Sequence, residues 1–208
     1  LTLLIIASNQ IIQKLTIFKL DILPCIPPHY DSLFIFLESF EYILLPKIDE
    51  IMLKVNDLKV SEILDFINWI EYHKDCITKF GFPERECLVH LYNVELMLEY
   101  KERIKNQVIE WFNNIKKQPL EINKATDGRL ITPNPQDMFN IIHAQLEVAR
   151  EKLPLEYTKE VAIACLQVLQ SVQRDAYDNL MNHYKDMEIE VLCALINDNQ
   201  SMREKCDE

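Results

Sequence analysis

The sequence predicts an all-α fold, an elongated rod of stacked antiparallel helical bundles, on three observations. Apolar residues recur at intervals of three and four through nearly the whole chain, and no segment shows the strict alternation of a half-buried strand. Only two glycines, Gly81 and Gly128, interrupt 208 residues. A breaker-free run from Glu84 to Lys117, 34 residues long, would extend about 51 Å as one helix.

A first helix carries Leu4, Ile11, Leu15, Phe18 and Ile22 on one stripe; Pro24 and the Pro27-Pro28 pair end it by removing donors and forcing extended backbone. Asp31 or Ser32 caps a second, whose stripe is Leu33, Leu37, Phe40, Leu44, Ile48, Ile51 and Val55, with Pro46 expected to kink it. A third starts from an N-cap at Ser61, turns Ile63, Phe66, Ile67, Ile70 and Ile77 inward, and stops at Gly81 before Pro83. The long fourth helix faces Leu91, Val94, Leu98, Ile104, Val108, Trp111, Phe112 and Ile115 inward.

Pro119 to Thr132 reads as the only long loop, with Asp127-Gly128 as its turn. Thr132 then caps a fifth helix with Pro133 at its first position, where a missing N–H costs nothing. Its seam is Phe139, Ile142, Leu146, Ala149 and Leu153, ended by Pro154. A sixth, from about Glu156 to Tyr184, buries Val161, Cys165, Val168, Leu169, Val172, Ala176 and Leu180. The last begins near Glu188 or Glu190 and carries Leu192, Leu195, Ile196 and Met202. The expected organisation is therefore a helical bundle segment over 1–118, a loop over 119–132 and a second bundle segment over 133–208, cut from a longer protein. No repeat of fixed period indicates a consensus solenoid.

Composition narrows the function. Two glycines leave no phosphate-cradling loop or dinucleotide fingerprint, which need several close together. A net charge of −11 repels nucleic acid and anionic lipid. No stretch approaches the roughly 18 consecutive apolar residues of a membrane span. The apolar start, Leu1 to Ala7, has no basic flank or cleavage site and reads as a cut edge. Six widely spaced cysteines in a chain this size read as reduced thiols.

The sharpest chemical constellation is His73-x-x-Cys76 followed by Cys87-x-x-His90, two i,i+3 pairs flanking the Gly81 turn that could converge on a tetrahedral zinc. The competing reading, two buried cysteines and two structural histidines, is the expectation, with an empty site and no cofactor. A zinc-stabilised helical regulatory domain is thus the alternative reading. Cysteines on apolar helix faces stay protonated, so no nucleophilic triad is available, and no Glu has a His three residues on, as a di-iron bundle needs. No enzyme is expected. Residues 175–208 hold nine acids against three bases, an acidic helical surface suited to protein partners or to solubility. Val89, Met97, Val148 and Val191 lie off the core stripes as candidates for burial by such partners.

Pro24-Cys25-Ile26-Pro27-Pro28-His29-Tyr30 resembles a segment of the exocyst subunit family Sec-six, called exocyst complex component 3 in animals, and is most similar to its plant and protist forms. Trp69-Ile70-Glu71-Tyr72, Asp127-Gly128-Arg129-Leu130 leading to Thr132-Pro133, Asp137-Met138-Phe139, and Leu192-Cys193-Ala194-Leu195-Ile196-Asn197-Asp198-Asn199 follow in the family's order. The residues that carry the resemblance are Pro24, Cys25, Pro27, Pro28, Tyr30, Asp127, Gly128, Thr132, Pro133, Phe139, Cys193 and Asn197, while Asp198 stands where the family tends to run asparagines. The resemblance covers the chain from Asp21 onward and implies a middle fragment of a non-catalytic subunit of a rod-built tethering complex. It further implies docking of secretory vesicles at the plasma membrane before fusion, with other exocyst subunits and exocytic SNARE proteins as partners. Neither nucleic acid nor direct transmembrane association is implied, and the location is cytoplasmic, peripheral at sites of exocytosis.

Overall fold

The computed structural model describes residues 1–27, 29–81 and 88–207. Among the described residues the chain forms seven α-helices and one pair of two-residue strands, so the predicted all-α class holds. The chain divides into two compact units, Leu1–Tyr100 and Lys101–Glu208, and the loop over 119–132 lies within the second.

In the first unit, α1 (Thr2–Ile17) continues through a π turn (Phe18–Ile22) and a 3-10 turn (Leu23–Cys25). α1 buries only Ser8, Ile12 and Leu15, and Ile22, expected inward, is exposed. By length and composition alone Thr2–Cys25 is sufficient to cross a membrane. The count of uninterrupted apolar residues missed this, because Ser8, Asn9, Gln10, Gln13 and Lys14 break the run without lowering its average enough. Two contacts tie this segment to α3 (Val60–Lys79). Trp69 Nε1 donates to Ser8 Oγ at 2.8 Å, and Lys19 Nζ reaches the carbonyls of Lys79 and Phe80 at 3.3 and 3.1 Å, placing a cation on the helix's negative end.

α2 (Ser32–Met52) runs continuously through Pro46 and buries Leu37, Phe40, Leu44, Ile48 and Met52, close to the expected stripe. α3 supplies the centre of the unit, with Ile63, Phe66, Ile67, Ile70 and Ile77 fully buried. It starts before the predicted Ser61 cap, because the Glu62 carboxylate reaches back to accept the Lys59 N–H at 2.8 Å and satisfies a first-turn donor. Gly81, at φ +100°, carries the chain away from the helix end in a conformation that favours glycine.

The long fourth helix is shorter than predicted. α4 spans Tyr92–Lys116 and is preceded by a 3-10 turn, Leu88–Leu91, while 84–87 lie outside the described residues. Leu91, Val94 and Leu98, expected inward, are exposed, and Val89 and Met97, expected outside the core, are buried with Leu96 and Tyr100. Within α4 itself Leu98 lies about 120° round the helix from Ile104, whereas Met97 and Tyr100 lie within about 40° of it and continue its buried face. Tyr92 donates its hydroxyl to Asp49 at 2.5 Å, pinning the start of α4 to α2.

In the second unit, Ile104, Val108, Phe112 and Ile115 of α4 are buried as expected. The predicted loop contains a small antiparallel hairpin, β1 (Asn123–Lys124) with β2 (Leu130–Ile131), in the register Asn123–Ile131 and Lys124–Leu130. α5 (Asn134–Lys152) and α6 (Leu155–His183) meet at Pro154 and pack together. α5 begins one residue later than predicted, with Pro133 just before it, and the Thr132 hydroxyl accepts the Asn134 N–H at 3.3 Å. Burial along α6 runs from Thr158 to Val172 and then stops: Ala176 is exposed and Leu180 only half-buried, against the sequence expectation. α7 (Ile189–Asp207) packs on β2, α5 and α6. It buries Ala194, Asp198 and Met202, and leaves Ile196, also expected inward, half exposed.

Candidate functional site

The residues singled out in the sequence fall into two groups. In the first unit, Pro24 and Cys25 lie in the 3-10 turn that closes the α1 segment, Pro27 follows, and Tyr30 is exposed with its ring 4.3 Å from that of His29. Pro28 lies outside the described residues. In the second unit, Asp127, Gly128, Thr132, Pro133 and Asn197 come together where α7 holds the hairpin.

That clasp is built from the turn outward. Gly128, at φ +89°, donates its N–H to the Ala125 carbonyl at 2.9 Å, and Ala125 N–H donates to Arg129 at 2.8 Å. Asp127 accepts the Arg129 N–H at 3.0 Å and pairs with its guanidinium at 2.6 Å, and these bonds, the backbone one first, hold the Asp127 carboxyl below its ordinary value. From α7, Asn197 donates its side-chain amide to the Leu130 carbonyl at 2.9 Å. Asp198, one residue on, accepts the Thr132 N–H at 2.8 Å on one oxygen and the Thr132 hydroxyl at 2.6 Å on the other. Both residues are buried. Burial pushes the Asp198 carboxyl above the usual carboxylate range, and the two Thr132 bonds, which favour the ionised form, oppose it. Further along α7, Lys205 donates to Gln136 at 2.5 Å and lies 5.7 Å over the Phe139 ring. Cys193 is exposed and makes no part of the clasp.

Asp198 is the residue that sequence reasoning passed over as a mere departure from a pattern. The signal was there: Leu195, Asp198 and Met202 share one helical face, and an acid on an apolar stripe needs donors from elsewhere.

The four residues of the possible zinc set are placed differently. His73 is fully buried on α3 between Phe40 and Trp69, at ring distances of 5.7 and 5.5 Å, and neither ring nitrogen has a hydrogen-bond partner among the described residues. Burial lowers its pKa to about 4, so the ring is neutral at ordinary pH. Cys76 is half-buried beside the Tyr72 phenol, whose pKa it raises. His90 sits in the 3-10 turn before α4, and Cys87 lies outside the described residues. Among the described residues no three His, Cys, Asp or Glu side chains are grouped to hold a metal. The buried Cys165 thiol, pushed up to about 11 by desolvation, is a core group.

The surface is rich in apolar side chains. In the first unit Leu3, Tyr42, Ile43 and Leu53 are well exposed, and in the second Leu155, Tyr177, Met181 and Ile189. The arrangement offers fastened helices and apolar contact area.

A family model described as exocyst complex component Sec6 matches residues 2–208. The chain belongs to this family. No solved structure matches it. Sec6 family members are structural tethering subunits of the exocyst, and the chain is accordingly an exocyst tethering component that assembles with other exocyst subunits. Its place is the cytoplasm, peripherally associated at sites of exocytosis. The zinc-stabilised regulatory domain is not favoured, since no metal-holding group appears among the described residues. In the Sec6 frame, the hairpin clasp is a structural element that fixes the connection between α4 and α5 against α7.

Proposed function

We propose that this protein scaffolds the docking of secretory vesicles at the plasma membrane before SNARE-mediated fusion, as a member of the exocyst component 3 line related most closely to plant and protist forms. The observation that carries the reading is the Sec6 family match over residues 2–208. It has no turnover of its own, and its work is protein contact: other exocyst subunits first, exocytic SNARE proteins as a further class. Each amphipathic helix buries one stripe and leaves the rest of its circumference for other chains, so specific interfaces of about 1,000 Å² or more have room to form.

Membrane contact on this reading is peripheral and carried by the assembled complex. Although Thr2–Cys25 has the length and composition of a span, its buried side chains and the Trp69–Ser8 hydrogen bond fasten it to α3. Pulling it into a bilayer would break that bond and expose Trp69. Depletion of the protein from its own cells tests the reading. Secretory vesicles are expected to accumulate undocked near the plasma membrane, and normal docking would overturn it.

A further inference from the structure

The sixth helix carries its core stripe further than this chain covers it. Val161, Cys165, Val168 and Val172 are buried, and the same stripe of i,i+3 and i,i+4 spacings continues through Ala176 and Leu180 where burial ends. Those two turns line an open groove of about 450 Å³. Val172, Leu195 of α7 and three methionines, Met138, Met187 and Met202, also line it. Methionine is unbranched and polarizable, and suits a surface that must fit an incoming apolar side chain. Tyr177, which also lines the groove, and Met181 and Tyr184 are about half exposed.

The rim supplies the second constraint. Residues 175–190 carry Asp175, Asp178, Asp186, Glu188 and Glu190 against Lys185 alone, and all six side chains are exposed. The ion pairs Lys101–Glu160, Lys105–Glu102, Arg129–Asp127 and Arg129–Glu204 of this unit use none of these five carboxylates. Lys116 lines one part of the groove and is its basic exception. An unfinished helical stripe calls for another helix, and an acidic rim calls for a basic one.

We infer that the groove between the end of α6 and α7 receives an amphipathic helix of a partner protein, with aliphatic anchors at i, i+3/i+4 and i+7 entering between Ala176, Leu180 and Leu195 and with Lys or Arg facing the acidic rim. The inference deepens the tethering reading by naming the kind of segment one contact takes, and in that sense rests on it. It is tested without any other exocyst subunit.

The full chain is titrated into a fluorescent helical peptide of about five turns, with leucines on one face and lysines elsewhere. A second peptide has every lysine replaced by glutamate, and a third scrambles the first. The lysine peptide is expected to bind at least about tenfold more tightly than either control. Ala176→Arg, at an exposed position that leaves the core intact, should weaken binding by about tenfold or more. Leu155→Arg, exposed on the same helix but away from the groove, should leave it unchanged. Equal binding of lysine and glutamate peptides, or binding indifferent to Ala176→Arg, would overturn the inference. So would a dimer of this chain, seen by sedimentation, that Ala176→Arg abolishes, because the groove would then serve a second copy. Peptide binding in a protein that joins no exocyst subunit would count against the tethering reading alone. A complex that assembles normally while the peptide fails would count against the groove alone.

Discussion

His73 in the first unit and Asp198 in the second are buried almost equally, at 0% and 4% relative exposure, yet the protein accommodates them in opposite ways. Asp198 is met by two donors from Thr132, a residue 66 positions away, and so joins α7 to the hairpin and the start of α5. His73 is met by aromatic rings and by no hydrogen bond among the described residues, and it stays neutral. A buried polar group contributes to a fold when its partners come from distant segments; without partners, burial is a cost its neighbours must offset. Such an asymmetry makes the Asp198 clasp a fastening and His73 a weak point.

The largest expected effect lies at the clasp. Asp198→Leu removes the acceptor for two buried donors, the Thr132 N–H and hydroxyl, and should destabilise the protein by about 3 kcal/mol. Urea unfolding measures it. Asp198→Asn keeps one acceptor oxygen and removes the charge that burial disfavours, so its loss should be much smaller. Equal losses in the two variants would mean that the hydrogen bonds at Asp198 do not fasten the hairpin.

Acid should expose the contrast next, because the two groups respond with opposite signs. His73 in the folded chain titrates near 4, below its ordinary 6.5, so between those values the unfolded chain takes up a proton that the folded chain refuses. Stability is therefore whole above pH 6.5 and falls on acidification toward pH 4. From pH 7 to 5 the His73 share of the loss should be about 2 kcal/mol. Asp198 has a raised pKa, so its proton binding favours the folded chain at low pH, and that contribution disappears as pH rises through the raised value. Comparing wild type with His73→Phe isolates the histidine, since the variant should lack its share of the acid loss. Identical pH profiles would show that His73 is not the buried neutral group described. At pH 7, where the ring carries no charge, His73→Phe should be the mildest change, within about 1.5 kcal/mol of wild type.

What could be read from the sequence follows the same division between local and distant causes. Helix class, the ends at Gly81 and Pro154, and the stripes of α2, α3 and α5 were legible because they depend on residues within a few turns of one another. The front of α4 was not: the expected stripe joined two faces of one helix, and Met97 and Tyr100, not Val94 and Leu98, share the buried face of Ile104. The exposed end of α6 was misread for the converse reason, since Ala176 and Leu180 have a core pattern and nothing local says whether the core is present to receive them. The clasp lay between. Thr132, Asp127 and Gly128 stood out by their turn chemistry and their resemblance to a family, but their partner Asp198 is far away in sequence and looked like an ordinary acidic substitution.

The central claim, that these fastened helices serve an exocyst tether, is tested most directly by purifying the full-length protein under gentle conditions from its own cells and measuring what accompanies it. Other exocyst subunits in fixed proportion to the protein are the expected result. Recovery of the protein with no exocyst subunit, under conditions in which those subunits recover one another, would contradict it.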